Sequence, residues 1–210
     1  MTQPKVVVLD YGSGNVHSVL NALKEVGAEA VLTADRAQVL AADGLVVPGV
    51  GAFAAVMEQL VKVGAPSMID QRLSAGRAVL GICVGLQVMF DIGTEHDLET
   101  EGLGQWPGRV IKLESETLPH IGWNNVQAPA GSVLFEGISD QQFYFVHSYG
   151  APEFELEDTS PFDKPKVTWA EYGSRFVAAV ENGPLSATQF HPEKSGVAGL
   201  RLLSNWLKTL

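Results

Sequence analysis

Short hydrophobic runs alternate with helically spaced segments over the first 90 residues of the chain. Four short apolar runs predict buried parallel strands, at residues 5–10, 30–32, 45–47 and 78–82. Apolar residues that recur every three or four positions predict helices at 16–26, 53–63 and 65–74, and another that starts after Cys83 with Leu86, Val88, Met89 and Phe90. Strands that alternate with helices over short connections indicate an α/β protein with a doubly wound parallel sheet. Active sites in such sheets form beyond the carboxyl ends of the strands.

The second half of the chain has the pattern of antiparallel strands. These strands are predicted at residues 109–113, 142–146, 167–171, 176–180 and 186–190. The dipeptide Asn182-Gly183 between the last two predicts a tight hairpin. The acidic, proline-containing stretch 153–166 indicates an exposed loop, and residues 196–210 have helical spacing. Without a repeat or a linker, we expect residues 1–210 to form a single domain.

Composition and charge narrow the classes of function. A hydrophobic content of 46% and a charged content of 18% are typical of a globular protein. A net charge of −10 argues against a nucleic-acid partner, and no apolar stretch reaches the roughly 18 residues of a membrane helix. One cysteine excludes an internal disulfide framework. With no signal-peptide pattern at the N-terminus, we expect a cytoplasmic protein.

The lone cysteine stands at the predicted junction between a strand and a helix. Cys83 follows the apolar run 78–82 and is flanked by Gly81 and Gly85, which permit a sharp turn. A helix N-terminus next to a thiol favours its nucleophilic thiolate form. A buried structural cysteine is the other interpretation of this segment alone.

Glycine-rich turns follow three of the predicted strands, at residues 11–15, 48–51 and 83–85, and we expect them to meet at one edge of the sheet. The Gly12-Ser13-Gly14 sequence is not a dinucleotide-binding loop, because His17 stands where the third glycine would be. The sequence PGVG at 48–51 allows a peptide N–H to point at a neighbouring site, where it would stabilise an oxyanion. An ordinary tight turn is the alternative.

A base for Cys83 has to come from five histidines. His191 ends an apolar strand and is followed by Pro192 and Glu193; in an extended chain, residues two apart project to the same side. Glu193 would then hold the imidazole in one tautomer, which completes a Cys–His–Glu triad. The other histidines are interpreted as structural, rim or loop residues: His17, His96, His120 and His147.

Several sequence blocks together resemble a known family. GICVGLQ at 81–87 with FHPE at 190–193 is similar to the class I, triad-type glutamine amidotransferases. DYGSGN at 10–15, PGVGAF at 48–53, PHIGWN at 119–124, YFVHSY at 144–149 and HPEKS at 191–195 resemble, within that class, the glutaminase subunits of imidazole glycerol phosphate synthase. The resemblance implies a three-layer α/β fold, with a mainly parallel central sheet and additional antiparallel strands in the C-terminal half.

The resemblance also implies a role for each matched residue. Cys83 would attack the side-chain amide of glutamine, His191 would carry the proton to the leaving ammonia, and Glu193 would orient His191. Ammonia would pass into a separate (β/α)₈-barrel cyclase subunit, which forms a heterodimer with the glutaminase and makes imidazole glycerol phosphate and an aminoimidazole carboxamide ribotide. No metal or cofactor is implied. The remaining residues would hold the oxyanion (Gly49, Val50, Gly51 and Val84), bind glutamine (Gly51, Gln87, Glu95, Ser148 and Tyr149) and meet the partner (Asn15, Tyr144 and Lys194).

Two alternatives stay open at this point. One is a sibling glutaminase, such as that of pyridoxal phosphate synthase or of guanylate synthesis, although these lack the blocks at 10–15 and 119–124. The other is a thiol-dependent hydrolase or a redox-sensing protein on a similar sheet. Release of ammonia from glutamine, compared with reactivity toward peroxide or peptides, distinguishes them.

Overall fold

The computed structural model describes residues 3–12, 14, 16–156 and 164–210. The helices are α1 (Val16–Glu25), α2 (Arg36–Ala41), α3 (Phe53–Lys62), α4 (Ala65–Ser74), α5 (Val84–Gln87) and α6 (Gly196–Leu207), with a 3₁₀ turn at Pro192–Lys194. The first strands are β1 (Lys5–Leu9), β2 (Glu29–Thr33), β3 (Gly44–Gly49), β4 (Val79–Cys83), β5 (Phe90–Glu95), β6 (Leu98–Glu101) and β7 (Trp106–Lys112). The others are β8 (His120–Asn125), β9 (Gln142–His147), β10 (Tyr149–Gly150), β11 (Lys166–Tyr172), β12 (Ser174–Asn182) and β13 (Leu185–Thr188).

A seven-stranded sheet in the order β11-β12-β13-β4-β3-β1-β2 forms the centre of the described chain. The strands β2, β1, β3, β4 and β13 are parallel to one another, whereas β12 pairs with β13, and β11 with β12, in antiparallel fashion. Every residue of β3 and β4 is buried, because helices cover both faces there. The predicted mainly parallel sheet with antiparallel additions is confirmed.

Helices form the outer two layers. The chain moves from β1 to β2 and then returns past β1 to β3, so right-handed crossovers place α1 and the following helices on opposite faces. Accordingly α1 contacts α6, while α4 contacts both α2 and α3. The predicted three-layer arrangement is therefore confirmed. No helix in the described part of the chain has both the length and the apolar character needed to cross a bilayer.

Two short sheets beside the central one differ in part from the sequence prediction. The helix expected beyond Cys83 ends at Gln87, and Phe90–Glu95 is strand β5, which pairs with β6 in a hairpin. Val88, Met89 and Phe90 are all buried, and an unbroken buried run does not distinguish a helix from a strand. The segment 109–113, predicted as an antiparallel strand, lies largely in strand β7. This strand pairs in parallel with β5 on one side and antiparallel with β10 on the other.

The remaining differences concern short elements. The sequence pattern does not predict helix α2, which has six residues. Asp35 caps its N-terminus, where the carboxylate accepts the N–H of Gln38 at 2.9 Å. The pattern does not predict strand β8 either, which pairs with β9 in a separate two-stranded sheet. The hairpin at Asn182-Gly183 is confirmed, with Gly183 at φ +57°. Residues 157–163 of the predicted acidic loop lie outside the described residues.

Candidate active site

Cys83 is the last residue of β4 and adopts a backbone conformation that only a tight packing arrangement maintains. Its φ of 58° and ψ of −113° are rare for a residue with a side chain. Helix α5 starts at the next residue, so the sulfur lies at a helix N-terminus. A Cβ on Gly85 would lie 2.0 Å from the carbonyl oxygen of Val47, and one on Gly81 would lie 2.5 Å from that of Gly85. The sharp turn predicted from the flanking glycines is therefore present, and close backbone packing requires both of them.

His191 and Glu193 form a buried pair next to the sulfur. The Nδ1 atom of His191 lies 2.8 Å from Oε1 of Glu193, and the two side chains are only 5% and 2% exposed. The side chain of Cys83 is close enough to that of His191 to raise its pKa. The contact between histidine and glutamate crosses a 3₁₀ turn, Pro192–Lys194, rather than the extended stretch assumed from the sequence. The pairing is still possible because the turn begins only after His191, which is itself extended at φ −98° and ψ 97°.

The pKa of His191 reflects these two partners. Burial lowers the pKa, but the interactions with Cys83 and Glu193 outweigh burial and raise it to about 10. The imidazole is therefore protonated at neutral pH and places a cation beside the sulfur. Such a pair contains both a nucleophile and a proton donor for a leaving group.

The turn 49–51 lies beside Cys83, as the sequence predicts. Gly49 is the register partner of Cys83 across β3 and β4, and a Cβ on Gly49 would lie 2.4 Å from the backbone nitrogen of Gly85. Gly51 has a φ of +109°, which side chains avoid. Val50 lies between them, and Val84 follows the sulfur as the first residue of α5. All four residues predicted to hold an oxyanion thus surround one end of β4.

The predicted glutamine-binding residues Gln87 and Tyr149 are in direct contact. The side-chain Nε2 of Gln87 donates to the carbonyl oxygen of Tyr149 at 2.8 Å. Ser148, half-buried, precedes Tyr149 and accepts the backbone N–H of Leu113 through its carbonyl oxygen at 2.9 Å. The first of these bonds joins α5 to the segment that leaves β9, and the second joins that segment to the residue after β7.

Glu95 reaches the opposite side of the same turn. It is the last residue of β5, and its Oε2 accepts the backbone N–H of Phe53 at 2.7 Å. Phe53 is the first residue of α3 and lies two positions after Gly51. The carboxylate is therefore placed next to the turn and also satisfies the N-terminus of α3.

Gln189 lies within contact distance of the sulfur, although the sequence pattern does not indicate it as a site residue. Its Nε2 is 3.8 Å from Sγ of Cys83, and its Oε1 accepts from Nε2 of Gln87 at 3.0 Å. The thiol also donates to the carbonyl oxygen of Val146, at 3.9 Å. One signal is available in the sequence: Gln189 is a polar residue at the end of an otherwise buried strand, two positions before His191.

Two further histidines support the segment that contains Tyr149. His120 and His147 lie 3.0 Å apart through Nδ1 and Nε2, and Nδ1 of His147 donates to the carbonyl oxygen of Tyr149 at 2.9 Å. Burial lowers the pKa of His120 to about 4 and that of His147 to about 3, so both are neutral at pH 7. Their interpretation as structural residues agrees with this buried, uncharged arrangement. His17 is exposed on α1, and His96 lies in the turn between β5 and β6.

Tyr144, one of the three predicted partner residues, belongs to an exposed apolar surface. Cross-strand pairing places Ile121 opposite Val146 and Trp123 opposite Tyr144, so the four side chains share one side of the two-stranded sheet, here called the β8–β9 face. Ile121 is 59% exposed and Trp123 is 53% exposed. The carbonyl oxygen of Tyr144 accepts the backbone N–H of His191 at 2.9 Å, which connects this face to the triad.

The other two partner predictions have different outcomes. Lys194 is exposed at the end of the 3₁₀ turn, one residue after Glu193. Asn15 lies outside the described residues. Within the described ranges, no cluster of three or more histidine, cysteine, aspartate or glutamate side chains is arranged to hold a metal ion.

Comparison with known proteins gives consistent results. The chain matches the family model "Glutamine amidotransferase class-I" over residues 7–210. It is 64% identical over 210 residues to the imidazole glycerol phosphate synthase subunit HisH of Leifsonia xyli subsp. xyli, with the whole of both chains covered. It is 57% identical to the subunit HisH of Thermobifida fusca over 210 residues, covering 99% of this chain and 100% of the relative.

Solved structures agree at the level of the fold. A crystal structure of a glutamine amidotransferase superposes with a TM-score of 0.74 at 19% identity, covering 97% of both chains. The structure of PurLQS from Thermotoga maritima superposes with a TM-score of 0.69 at 16% identity, covering 99% of both chains. At these identities, the likeness concerns the fold alone.

Proposed function

Because the chain belongs to the class I glutamine amidotransferases and, within them, to the HisH subunits of imidazole glycerol phosphate synthase, we propose that Cys83, His191 and Glu193 are its catalytic triad. It is a glutamine amidotransferase subunit, and it acts in histidine biosynthesis by hydrolysing glutamine. Full-length identity of 64% to a HisH subunit selects this family over the sibling glutaminases and the thiol hydrolases.

The protonated His191 beside the sulfur determines the order of proton transfers. The thiolate of Cys83 attacks the side-chain amide carbon of glutamine, forming a C–S bond and an oxyanion. The oxyanion collapses, the C–N bond breaks, and the leaving nitrogen takes the proton of the His191 imidazolium to depart as ammonia. Neutral His191 then accepts a proton from water as the water attacks the thioester. Glutamate leaves, and the thiolate and imidazolium are restored. Since the thiol must stay reduced, we propose the cytoplasm as the location.

The oxyanion needs hydrogen-bond donors at the end of β4. We assign this role to the backbone N–H of Val84 and to the turn Gly49, Val50 and Gly51. The support is their position around Cys83 and the close backbone approach that Gly49 permits. One such donor contributes on the order of a hundredfold or more to the rate.

Glutamine binding is assigned to residues on both sides of the turn. The carboxylate of Glu95 offers a negative charge to the α-ammonium group of the substrate, close to Gly51. Gln87, Ser148 and Tyr149 form the other side, where hydrogen bonds join α5 to the segment after β9.

One observation carries the triad assignment: the only cysteine of the sequence occupies the strained turn and lies close enough to a buried His–Glu pair to raise the pKa of the histidine. We expect Cys83→Ala to abolish synthesis driven by glutamine in the assembled synthase, because no other thiol can form the thioester. Synthesis driven by added ammonia should continue at the native rate, which serves as the internal control for folding and assembly. Glutamine turnover close to that of the native enzyme would refute the assignment.

Subunit names among the relatives imply a complex, and we propose that the partner is a (β/α)₈-barrel cyclase docked on the β8–β9 face. This face exposes Ile121 and Trp123. Its strand β9 also contacts the proposed catalytic histidine, because the carbonyl oxygen of Tyr144 accepts the backbone N–H of His191. Tyr144 belongs to this face, and Lys194 ends the 3₁₀ turn that contacts β9. Docking there would bring the acceptor subunit next to the site where ammonia is released.

An interface variant tests this placement. We expect Trp123→Ala to weaken binding of the cyclase subunit by at least about tenfold, because aromatic anchors carry much of the binding energy of an interface. Leu98→Ala is the matched control, since Leu98 is 57% exposed and lies on β6, away from the β8–β9 face. Titration calorimetry or sedimentation measures both constants. Equal binding by the two variants would exclude this face.

A further inference from the structure

We propose that Gln189 is an additional catalytic residue, whose side-chain amide stabilises the thiolate of Cys83 and couples it to Gln87. The inference rests on the proposed role of Cys83 as nucleophile. It concerns a residue that follows strand β13 and belongs to neither the triad nor the oxyanion turn.

Gln189 is fixed at both its backbone and its side chain. The residue is fully buried, and its backbone N–H donates to the carbonyl oxygen of Ala178 at 2.8 Å. Its side-chain Oε1 accepts from Nε2 of Gln87 at 3.0 Å, and its Nε2 lies 3.8 Å from Sγ of Cys83. A buried amide with both ends engaged has little freedom to rotate away.

The direction of the amide follows from its neighbours. The Nε2 of Gln87 donates to the carbonyl oxygen of Tyr149, and a carbonyl can only accept, so the orientation of Gln87 is determined. The atom of Gln189 that faces this nitrogen must therefore be the acceptor, Oε1. The donor end, Nε2, is left facing the sulfur, where a thiolate accepts hydrogen bonds and a neutral thiol accepts only weakly.

A neutral donor at this position has a function that His191 does not provide. In the proposed reaction His191 gives up its proton to ammonia, and during that step its charge no longer stabilises the sulfur. Gln189 keeps its N–H throughout, so it stabilises the thiolate both before attack and as the leaving group when the thioester is hydrolysed. Because the same amide is bonded to Gln87, a residue assigned to substrate binding, the sulfur and that residue hold each other in position.

The test is alkylation of the full-length chain by iodoacetamide as a function of pH. Since the sequence contains one cysteine, the reaction reports Cys83 alone. We expect Gln189→Met, which removes the donor at similar volume, to lower the rate at pH 7 roughly three- to tenfold. The limiting rate at high pH, where every thiol is ionised, should not fall. Gln87→Met should lower the rate at pH 7 by a smaller factor, because Gln189 remains but is no longer held.

A neighbouring buried residue provides the control. The hydroxyl of Thr188 donates to the carbonyl oxygen of Phe190 at 3.0 Å, so Thr188→Val removes a buried donor at the end of the same strand. This variant should keep the native pH profile. If Gln189→Met shows no cooperative thermal unfolding, the variant is not folded, and the alkylation rate of Gln87→Met at pH 7 tests the proposal instead.

Two results would overturn the proposal. One is a native pH profile in the folded variant. The other is a rate lowered by the same factor at every pH, which indicates altered access to the sulfur rather than less thiolate. Alkylation requires neither glutamine nor a partner, so its outcome is independent of whether Cys83→Ala abolishes glutamine turnover.

Discussion

Glu193 holds its histidine through a single carboxylate oxygen. Oε1 bonds to His191, whereas Oε2 is buried and has no hydrogen-bond partner among the described residues. A buried oxygen without a partner is unfavourable, so this carboxylate is maintained by its interaction with the imidazolium. That arrangement suits a residue that stabilises a charge on its neighbour and has no direct contact with substrate.

Replacement of this carboxylate should therefore affect turnover more than binding. In Glu193→Gln the shape is preserved, but the negative charge that helps to raise the pKa of His191 is lost. We expect kcat for glutamine to fall on the order of a hundredfold or more, with KM changed by less than about threefold. Glu136→Gln is the control, because Glu136 is an exposed carboxylate paired with Lys208. A large increase in KM at unchanged kcat in the assembled synthase would contradict this role.

The residues of the proposed triad stand out in the sequence, whereas the polar character of Gln189 does not by itself indicate a site residue. Cys83 stands out as the lone cysteine between glycines, and His191 and Glu193 lie two positions apart. The contacts of Gln189, in contrast, are formed with residues 102 and 106 positions away. Local patterns cannot reveal such pairs, since only the register of β13 against β4 brings them together.

Strand β5 has a role that the sequence pattern does not indicate, because it places an acidic side chain at the start of another element. Residue Ala52, at the N-cap of α3, makes no side-chain capping bond. Glu95, at the end of β5, accepts the N–H of Phe53 and so supplies the missing acceptor from a different element. A negative charge there also suits the positive end of the helix dipole.

Two substitutions at Glu95 separate capping from substrate binding. Glu95→Gln retains an acceptor for Phe53 but loses the charge proposed to attract the ammonium group of glutamine, so KM should rise while stability is nearly kept. Glu95→Ala should also lose about 1 kcal/mol in the free energy of unfolding. Urea unfolding and steady-state kinetics of the assembled synthase measure the two effects. An unchanged KM in Glu95→Gln would leave Glu95 as a helix cap only.

Helices and strands are predicted correctly where apolar residues recur at a regular spacing. Prediction fails where a segment is buried on all sides, because apolar residues then occur at every position. The segments 53–63 and 65–74 have one apolar stripe each, and both are helices, α3 and α4. After Gln87, apolar residues occur without a polar face, so the change from α5 to β5 is not visible in the sequence. Strand β8 escapes prediction for the opposite reason: it exposes Ile121 and Trp123 and contains Gly122 at φ +136°.

At the scale of the whole molecule, the proposed docking surface and the catalytic site share a strand. Trp123 packs edge-on against Tyr144 at 5.9 Å between ring centroids, and the carbonyl oxygen of Tyr144 accepts the N–H of His191. The backbone N–H of Tyr144 in turn donates to the hydroxyl oxygen of Ser195 at 3.0 Å. A partner on the β8–β9 face would therefore act on the site through very few intervening bonds.

The turn 49–51 provides an element that such a partner can control. A peptide flanked by Gly49 and Gly51 can present either its C=O or its N–H to the oxyanion at low steric cost. Free ammonia is lost to solvent unless its release is timed to the acceptor, so an inactive resting turn is advantageous. To change the rate about a hundredfold, the partner must favour the active state by about 2.7 kcal/mol, since each tenfold step corresponds to about 1.36 kcal/mol.

We therefore expect the isolated chain to hydrolyse glutamine slowly and to be activated by the cyclase carrying its nucleotide ligand. Steady-state rates are compared for the chain alone, with the cyclase, and with the cyclase plus nucleotide. Gly51→Ala should lower the activation ratio several-fold, because Gly51 has a φ of +109° in this chain, although no atom lies within 4 Å of an added Cβ. Gly183→Ala is the matched control: its φ is +57°, its Cβ position is equally open, and it lies in the distant hairpin between β12 and β13. Full activity in the isolated chain would refute control by the turn and leave the assignment of Cys83, His191 and Glu193 intact.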